Sequence, residues 1–431
     1  MSRDLRHEFA SGPLTPFQVA AIAVCVALNM LDGFDILAMS FSASGVKADW
    51  HLHDGQIGAL LSGGLIGMAA GSLVFGPCAD RWGRRRIVLL AAAIAGIGML
   101  LSCLARNFSD LLMLRVLTGV GIGGTIASVA VIVSEYAPDR WRRTALALYA
   151  TGYSIGATLG GALTTAAVAR YGWRSAFLTG GLMSLLLVPL AWLHLPESLE
   201  FLVTRRPSDA LARVNRLLRQ TGRAPVDALD LPADAAGVPA AGRPQLLNGT
   251  TLLAWLIFFA TMAGFYFTVS WTPRLLTASG LTAVQGMTGG VLLNLGGIAG
   301  CGLYALAAAR FDAQRLLAGS LLVTAATVAA FSLALGSVTS ALATGLLLGV
   351  AANAAMAGLY AVGPPLYATE VRATGMGLAI GVGRFGAILA PLATGILLDH
   401  DWSGPQLYRL CAIPFGVAAI AALALGTVRR D

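Results

Sequence analysis

Twelve apolar stretches of roughly 20 residues, separated by short polar turns, constrain this chain more than any other feature, because each is long enough as a helix to cross about 30 Å of hydrocarbon. They lie at approximately 17–41, 55–75, 86–105, 110–134, 144–168 and 173–195, then at approximately 249–272, 285–309, 313–335, 338–362, 372–398 and 406–427. Of 431 residues, 57% are hydrophobic and 12% charged, and the mean hydropathy of +0.75 is one that no water-soluble domain of this length tolerates. The expected fold is an all-α integral membrane protein with twelve transmembrane helices in two pseudo-symmetric six-helix halves.

One long polar region, 196–248, separates an N-terminal half, 1–195, from a C-terminal half, 249–431. Within it Leu211, Val214, Leu217 and Leu218 share a helical face, while Arg213, Arg216 and Arg219 fall mostly elsewhere. Two readings stand: a short amphipathic helix on the inner leaflet, or a solvated cytoplasmic spacer. The halves echo each other. Ser134-Glu135-Tyr136 with Arg142 matches Thr369-Glu370-Val371-Arg372, and Ile155-Gly156-Ala157 matches Phe385-Gly386-Ala387. Repeated six-helix halves build many secondary transporters, with the solute site near the midplane between them.

Placing the N-terminus in the cytoplasm puts roughly 21 Arg in cytoplasmic segments and about six Lys or Arg outside, so both termini are expected to be cytoplasmic. These flanks account for the formal charge of +8 and face anionic lipid; they give no argument for nucleic acid. No small-residue cleavage pattern follows the first span, which reads as an uncleaved anchor. The cysteines Cys25, Cys78, Cys103, Cys301 and Cys411 are scattered through or beside spans, and neither a disulfide nor a metal site is expected.

Charges inside spans are the candidates for function. Asp32 and Asp35 sit one helical turn apart in Leu31-Asp32-Gly33-Phe34-Asp35. An acid at the centre of a spanning helix costs roughly 2.5 to 3.5 kcal/mol on insertion scales, so this pair is the candidate proton carrier. Arg115 lies in the fourth span at a depth similar to Asp35 and can either pair with it or meet a solute. Arg384 lies near the centre of the eleventh span, with no acidic neighbour along its helix and with Ser154 as its first-half counterpart. That asymmetry favours a substrate carboxylate. Phe34, Tyr153, Phe265, Tyr266, Trp271, Tyr360 and Phe385 are candidate linings for an aromatic ring, although each alone also reads as membrane packing.

The cytoplasmic turns carry the gating candidates. After the second span comes Gly76-Pro77-Cys78-Ala79-Asp80-Arg81-Trp82-Gly83-Arg84-Arg85, in which Asp80 can cap a neighbouring helix and pair with arginines while Gly83 permits a tight turn. Its second-half counterpart, Ala309-Arg310-Phe311-Asp312, is degenerate. Glu135, Arg142 and Arg143 in one half, with Glu370 and Arg372 in the other, are placed to form an inner-face ion network that breaks when the halves rock.

Other chemistries are excluded. Gly119-Val120-Gly121-Ile122-Gly123-Gly124 satisfies a dinucleotide spacing, but it lies inside an apolar helix with no preceding strand, where small residues serve helix packing. The single lysine, Lys47, is followed by Ala48, so no ATP-binding Walker motif exists. No cofactor is implied. No nucleophile, base and orienting group converge, so the chain is not expected to be an enzyme.

The turn at 76–85 matches the G-x-x-x-D-R-x-G-R-R signature of the major facilitator superfamily. Asp32-Gly33-Phe34-Asp35, Arg115-Val116-Leu117-Thr118-Gly119, Ser134-Glu135-Tyr136-Ala137-Pro138, Leu195-Pro196-Glu197-Ser198, Trp271-Thr272-Pro273 and Gly383-Arg384-Phe385-Gly386-Ala387 narrow the match. Over nearly its whole length the chain resembles that superfamily's aromatic acid:proton symporters. The resemblance implies import of a benzoate- or hydroxybenzoate-type acid with protons across a bacterial inner membrane, and the chain is expected to be a monomer. The resemblance also implies that Asp32 and Asp35 are needed for transport and that Arg384 engages the carboxylate. Three other readings remain: a symporter of another small organic acid, a drug:proton antiporter, and a membrane sensor without flux. The fifth span has Gly156-Ala157-Thr158-Leu159-Gly160-Gly161 without the Gly-Pro pair of drug antiporters, which weighs against export.

Overall fold

The apolar stretches become helices, and the breaks fall where the chain supplies caps. In the computed structural model, residues 12–229, 248–367 and 371–428 are described. Helix α1 (Pro16–Trp50) starts at Thr15, whose hydroxyl accepts from the Gln18 N–H while the Gln18 side chain accepts from the Thr15 N–H, a reciprocal cap followed by proline at the first position. There follow α2 (Asp54–Trp82), α3 (Arg84–Ser102), α4 (Phe108–Tyr136), α5 (Asp139–Tyr171) and α6 (Arg174–His194). The linker holds α7 (Leu199–Arg205) and α8 (Ala210–Gln220). The second bundle comprises α9 (Gly249–Ala278), α10 (Ala283–Ala308), α11 (Ala313–Ala334), α12 (Val338–Val362), α13 (Arg372–Asp399) and α14 (Gly404–Val428).

Among the described residues, eleven of the long helices are apolar enough to cross a membrane on their own; α5 is the exception. Its buried positions include Gly152, Ser154, Gly156, Gly160, Gly161 and Thr164, and it begins with Arg140, Arg142 and Arg143. It packs against α1 and α10 through these small residues.

Packing repeats between the bundles. Helix α1 pairs with α5, α2 with α4, and α3 with α4 and α6; likewise α9 pairs with α13, α10 with α12, and α11 with α12 and α14. Gly156 meets the backbone of Met30 in the first bundle, as Gly386 meets that of Phe259 in the second. The glycine run at 119–124 packs α4 on α2, with Gly119 and Gly123 against the Gly64 and Met68 carbonyls. Across the bundles α2 packs on α13, α5 on α10 and α1 on α9, the set a pseudo-two-fold axis generates.

The hydrogen bonds and ion pairs that join the bundles, among the described residues, lie toward the end away from the linker. Ser40 Oγ donates to the Ser270 carbonyl at 2.6 Å, and Ser62 Oγ to that of Ile388 at 2.7 Å. Asp399, at the end of α13, accepts the N–H groups of Asp54 and Gly55 at 2.8 Å each, so the first turn of α2 is capped from the opposite bundle. Asp54 in turn pairs with Arg274 of α9 and with Lys47 at 2.6 Å. The far end is latched. Replacing Asp399 with Ala removes two charge-assisted bonds, each contributing about 1.5 to 3 kcal/mol to whichever state makes it, and should shift the population toward far-end opening roughly tenfold or more. Spin labels at His51 and Asp401 should report a longer distance; an unchanged distribution would remove the latch.

The linker forms the expected amphipathic helix, α8, with its apolar face turned to the protein. Val214, Leu217 and Leu218 of α8 are buried against Leu199, Leu202, Leu195 and Ile22. The amphipathic helix therefore lays its apolar face on the protein. The asparagine at 215 holds it to the chain that follows, exchanging two bonds with the Val226 backbone at 2.8 and 2.9 Å.

Candidate functional site

Glycine at position 33 is what brings the acidic turn of α1 against α5, since a Cβ there would collide with the Tyr153 carbonyl. On one side of that contact, Asp35 turns inward to Arg115, which donates to both carboxylate oxygens at 2.6 and 2.7 Å. The pair is 1% and 2% exposed, with Phe177 stacked 6.0 Å from the guanidinium. Of the two alternatives for Arg115, this structure shows the pairing with Asp35 through both terminal nitrogens, while its Nε is buried without a partner. Counting residues along the helices already placed the two at one depth.

Asp32 differs. It is 8% exposed, and its Oδ1 is buried with no hydrogen-bond partner. It lies within electrostatic reach of Asp35 in its own bundle and of Arg384 in the other. Arg384 is half-buried and, among the described residues, makes no hydrogen bond or ion pair. Tyr266 and Tyr360 share the field of both charges, and Tyr153 that of Asp32 and Asp35. The Tyr153 hydroxyl is buried without a partner. Tyr149, one turn earlier on the same face of α5, also feels Asp32 and was missed in the sequence; the four-residue spacing from Tyr153 was the available signal. Between the bundles, then, stand a cation and an acid unpaired among the described residues, with tyrosines from both sides.

The other aromatic candidates divide. Phe265 packs edge-on to Tyr266 with ring centres 5.6 Å apart, and Phe258 to Tyr360 at 6.1 Å, so Phe265 supports the wall while itself only 4% exposed. Phe34 is not a lining residue: it is 1% exposed and wedged against Gly160 of α5 and Gly180 of α6. Phe385 is not one either. It is exposed on the stripe of α13 that carries Leu378, Leu389 and Ile396, an apolar face of the kind that suits hydrocarbon. Trp271 is fully buried and donates to the Pro391 carbonyl at 3.1 Å, which makes it structural.

At the linker end, Arg84 pairs with Glu135 and, at 3.7 Å, with Asp80. Ser198 Oγ donates to Glu135 at 3.0 Å. The expected capping by Asp80 is not made; its carboxylate is largely exposed. Glu197 caps α3 instead, accepting the Arg85 N–H at 3.0 Å and the Ser198 N–H at 3.1 Å, and its carboxylate fills the space over Gly83, whose φ of +99° admits the turn. The role of Glu197 and Ser198 was missed although their motif was visible. Arg142 pairs with Asp139 of its own helix at 2.6 Å and donates to the Ser134 carbonyl. Arg81 and Arg143 are exposed. Glu370 and the Arg372 side chain lie outside the described residues. The described part of the network thus stays within the first bundle and linker, and does not tie the bundles together. Among the described residues no group of His, Cys, Asp or Glu could hold a metal ion, and the described cysteines are unpaired.

Comparison with known proteins is consistent along the chain. The family profile of the Major Facilitator Superfamily matches residues 22–343. A gallate transporter of Pseudomonas putida is 33% identical, with 99% of this chain and 96% of that protein covered. The 4-hydroxybenzoate transporter PcaK of Pseudomonas aeruginosa is 31% identical over the same shares, 99% and 96%. The inward-open xylose transporter XylE from E. coli superposes with a TM-score of 0.75 over 95% of each chain at 16% identity, which shows the same fold.

Proposed function

The chain belongs to the major facilitator superfamily, and we propose that it imports an aromatic carboxylate with protons across a bacterial inner membrane by alternating access, with the linker end and both termini in the cytoplasm. The observation that carries this reading is Arg384, a guanidinium with no hydrogen bond or ion pair among the described residues, within electrostatic reach of Asp32, whose Oδ1 is buried without a partner, and of Tyr266 and Tyr360. A planar fork suits a carboxylate, and tyrosines offer both a ring face and a hydroxyl to a phenolic acid. The relatives that transport gallate and 4-hydroxybenzoate support the substrate class.

With the far end open, Asp32 takes a proton and the aryl carboxylate docks on Arg384. Neutralising both charges lowers the barrier to closure. The bundles then rock, the Asp54, Arg274 and Asp399 latch forms, and substrate and proton leave toward the linker end. Asp35, held by Arg115, keeps the proton-carrying face of α1 in register. One proton with a monoanion moves no net charge, whereas two add a voltage term of about 2.3 kcal/mol per 100 mV.

The test is uptake of labelled 4-hydroxybenzoate and gallate by proteoliposomes under an inside-alkaline gradient. Gradient-driven accumulation is expected in the wild type. Asp32→Asn should still exchange substrate down its gradient while losing uphill accumulation. Full accumulation by that variant would remove Asp32 from coupling, and binding without flux in tight vesicles would turn the reading to a sensor.

A further inference from the structure

A second cavity, of about 490 Å³, opens at the linker end beneath α8, away from the space between the bundles. Arg85, Arg86, Arg213 and Arg216 line it together with Glu197 and Asp209, four cations against two carboxylates. Both acids are engaged: Asp209 pairs with Arg213 at 2.7 Å, and Glu197 accepts the backbone of Arg85 and Ser198. Arg85 donates to the Trp192 carbonyl and keeps a buried Nε with no partner. Arg86 and Arg216 are exposed and, among the described residues, make no hydrogen bond or ion pair.

Among the described residues, positive charge is left unmatched here, and the wall beside it is apolar. Leu193 lines the cavity itself, and with Leu190 and Trp192 it forms the exposed final turns of α6, where a tryptophan marks the depth of the headgroups. A soluble anion would use the arginines alone. An amphiphile with an anionic head uses both surfaces.

We propose that this cavity seats the phosphate headgroup of an anionic phospholipid from the leaflet at the linker end, its acyl chains lying along α6. The headgroup bridges α3 and α8, joining the linker helix to the first bundle through Arg86 and Arg216.

The test uses the full chain, delipidated in detergent, titrated with phosphatidylglycerol or with phosphatidylcholine of the same chains, and read by native mass spectrometry. Retention of phosphatidylglycerol should exceed that of phosphatidylcholine roughly tenfold or more, and the variant carrying Arg86→Gln and Arg216→Gln should bring the ratio to within about twofold. Its elution and unfolding midpoint in phosphatidylcholine serve as the folding control. Should it fail that control, Arg216→Gln alone, at an exposed position of α8, should lower the ratio about threefold. Equal retention of the two lipids, or a ratio untouched by the variants, overturns the proposal. Displacement of the lipid by millimolar inorganic phosphate or glycerol 3-phosphate also overturns it, in favour of a soluble anion. Because the readout is bound lipid and not uptake, the result is independent of the transport assignment.

Discussion

Replacing Arg384 with glutamine is expected to lower uptake at sub-saturating aryl acid by roughly 30- to 1,000-fold, corresponding to about 2 to 4 kcal/mol for a charge-assisted carboxylate contact in a partly desolvated site. The expectation rests on what Arg384 lacks: among the described residues it has no ion-pair partner, so its removal breaks no ion pair among them. Thermal stability should be unchanged or slightly raised. Lysine should recover only part of the uptake, because a point charge lacks the planar fork. Initial-rate uptake in proteoliposomes, paired with thermal unfolding of the same preparations, checks both halves. Wild-type uptake by the glutamine variant would take the substrate carboxylate away from this residue.

The buried pair should behave in the opposite way. Asp35→Asn leaves Arg115 charged and 2% exposed with no acid to meet, at an expected cost of about 3 to 5 kcal/mol in stability. Uphill accumulation should be abolished. The double change Asp35→Leu with Arg115→Met removes both charges and fills a similar volume, so stability should return to within about 1 to 2 kcal/mol of the wild type or above it while transport stays lost. Thermal unfolding of the two singles and the double, read as a cycle, gives the coupling. If Asp35→Asn is as stable as the wild type, the pair does not hold the resting state.

Much of the site was legible because charge is conspicuous in an apolar span. Asp32, Asp35, Arg115 and Arg384 could be found without a structure, and helix counting put Asp35 level with Arg115. The aromatic wall was not legible in the same way. Phe34 and Phe385 lie beside Asp35 and Arg384 in sequence, yet one is a wedge between α5 and α6 and the other lies on an exposed apolar stripe. Neighbours on a helix point about 100° apart, and an apolar ring satisfies bilayer, core and pocket alike. The latch was invisible for another reason. Asp54 and Asp399 are ordinary loop-edge acids until α2 and α13 meet, and only then does one carboxylate cap the other helix.

By itself the sequence determined the solvent, the number of crossings, the two-fold repeat and the charges that must be accommodated, because each follows from the energy of placing a residue in hydrocarbon. Tertiary structure alone decided how those charges divide, with Asp35 spent on Arg115 and both Asp32 and Arg384 left open. It also decided that the bundles join at the far end and that α8 lies on the protein. Pairing depends on which helices meet and at what rotation, and that is set by glycine contacts summed over many residues distant in the chain.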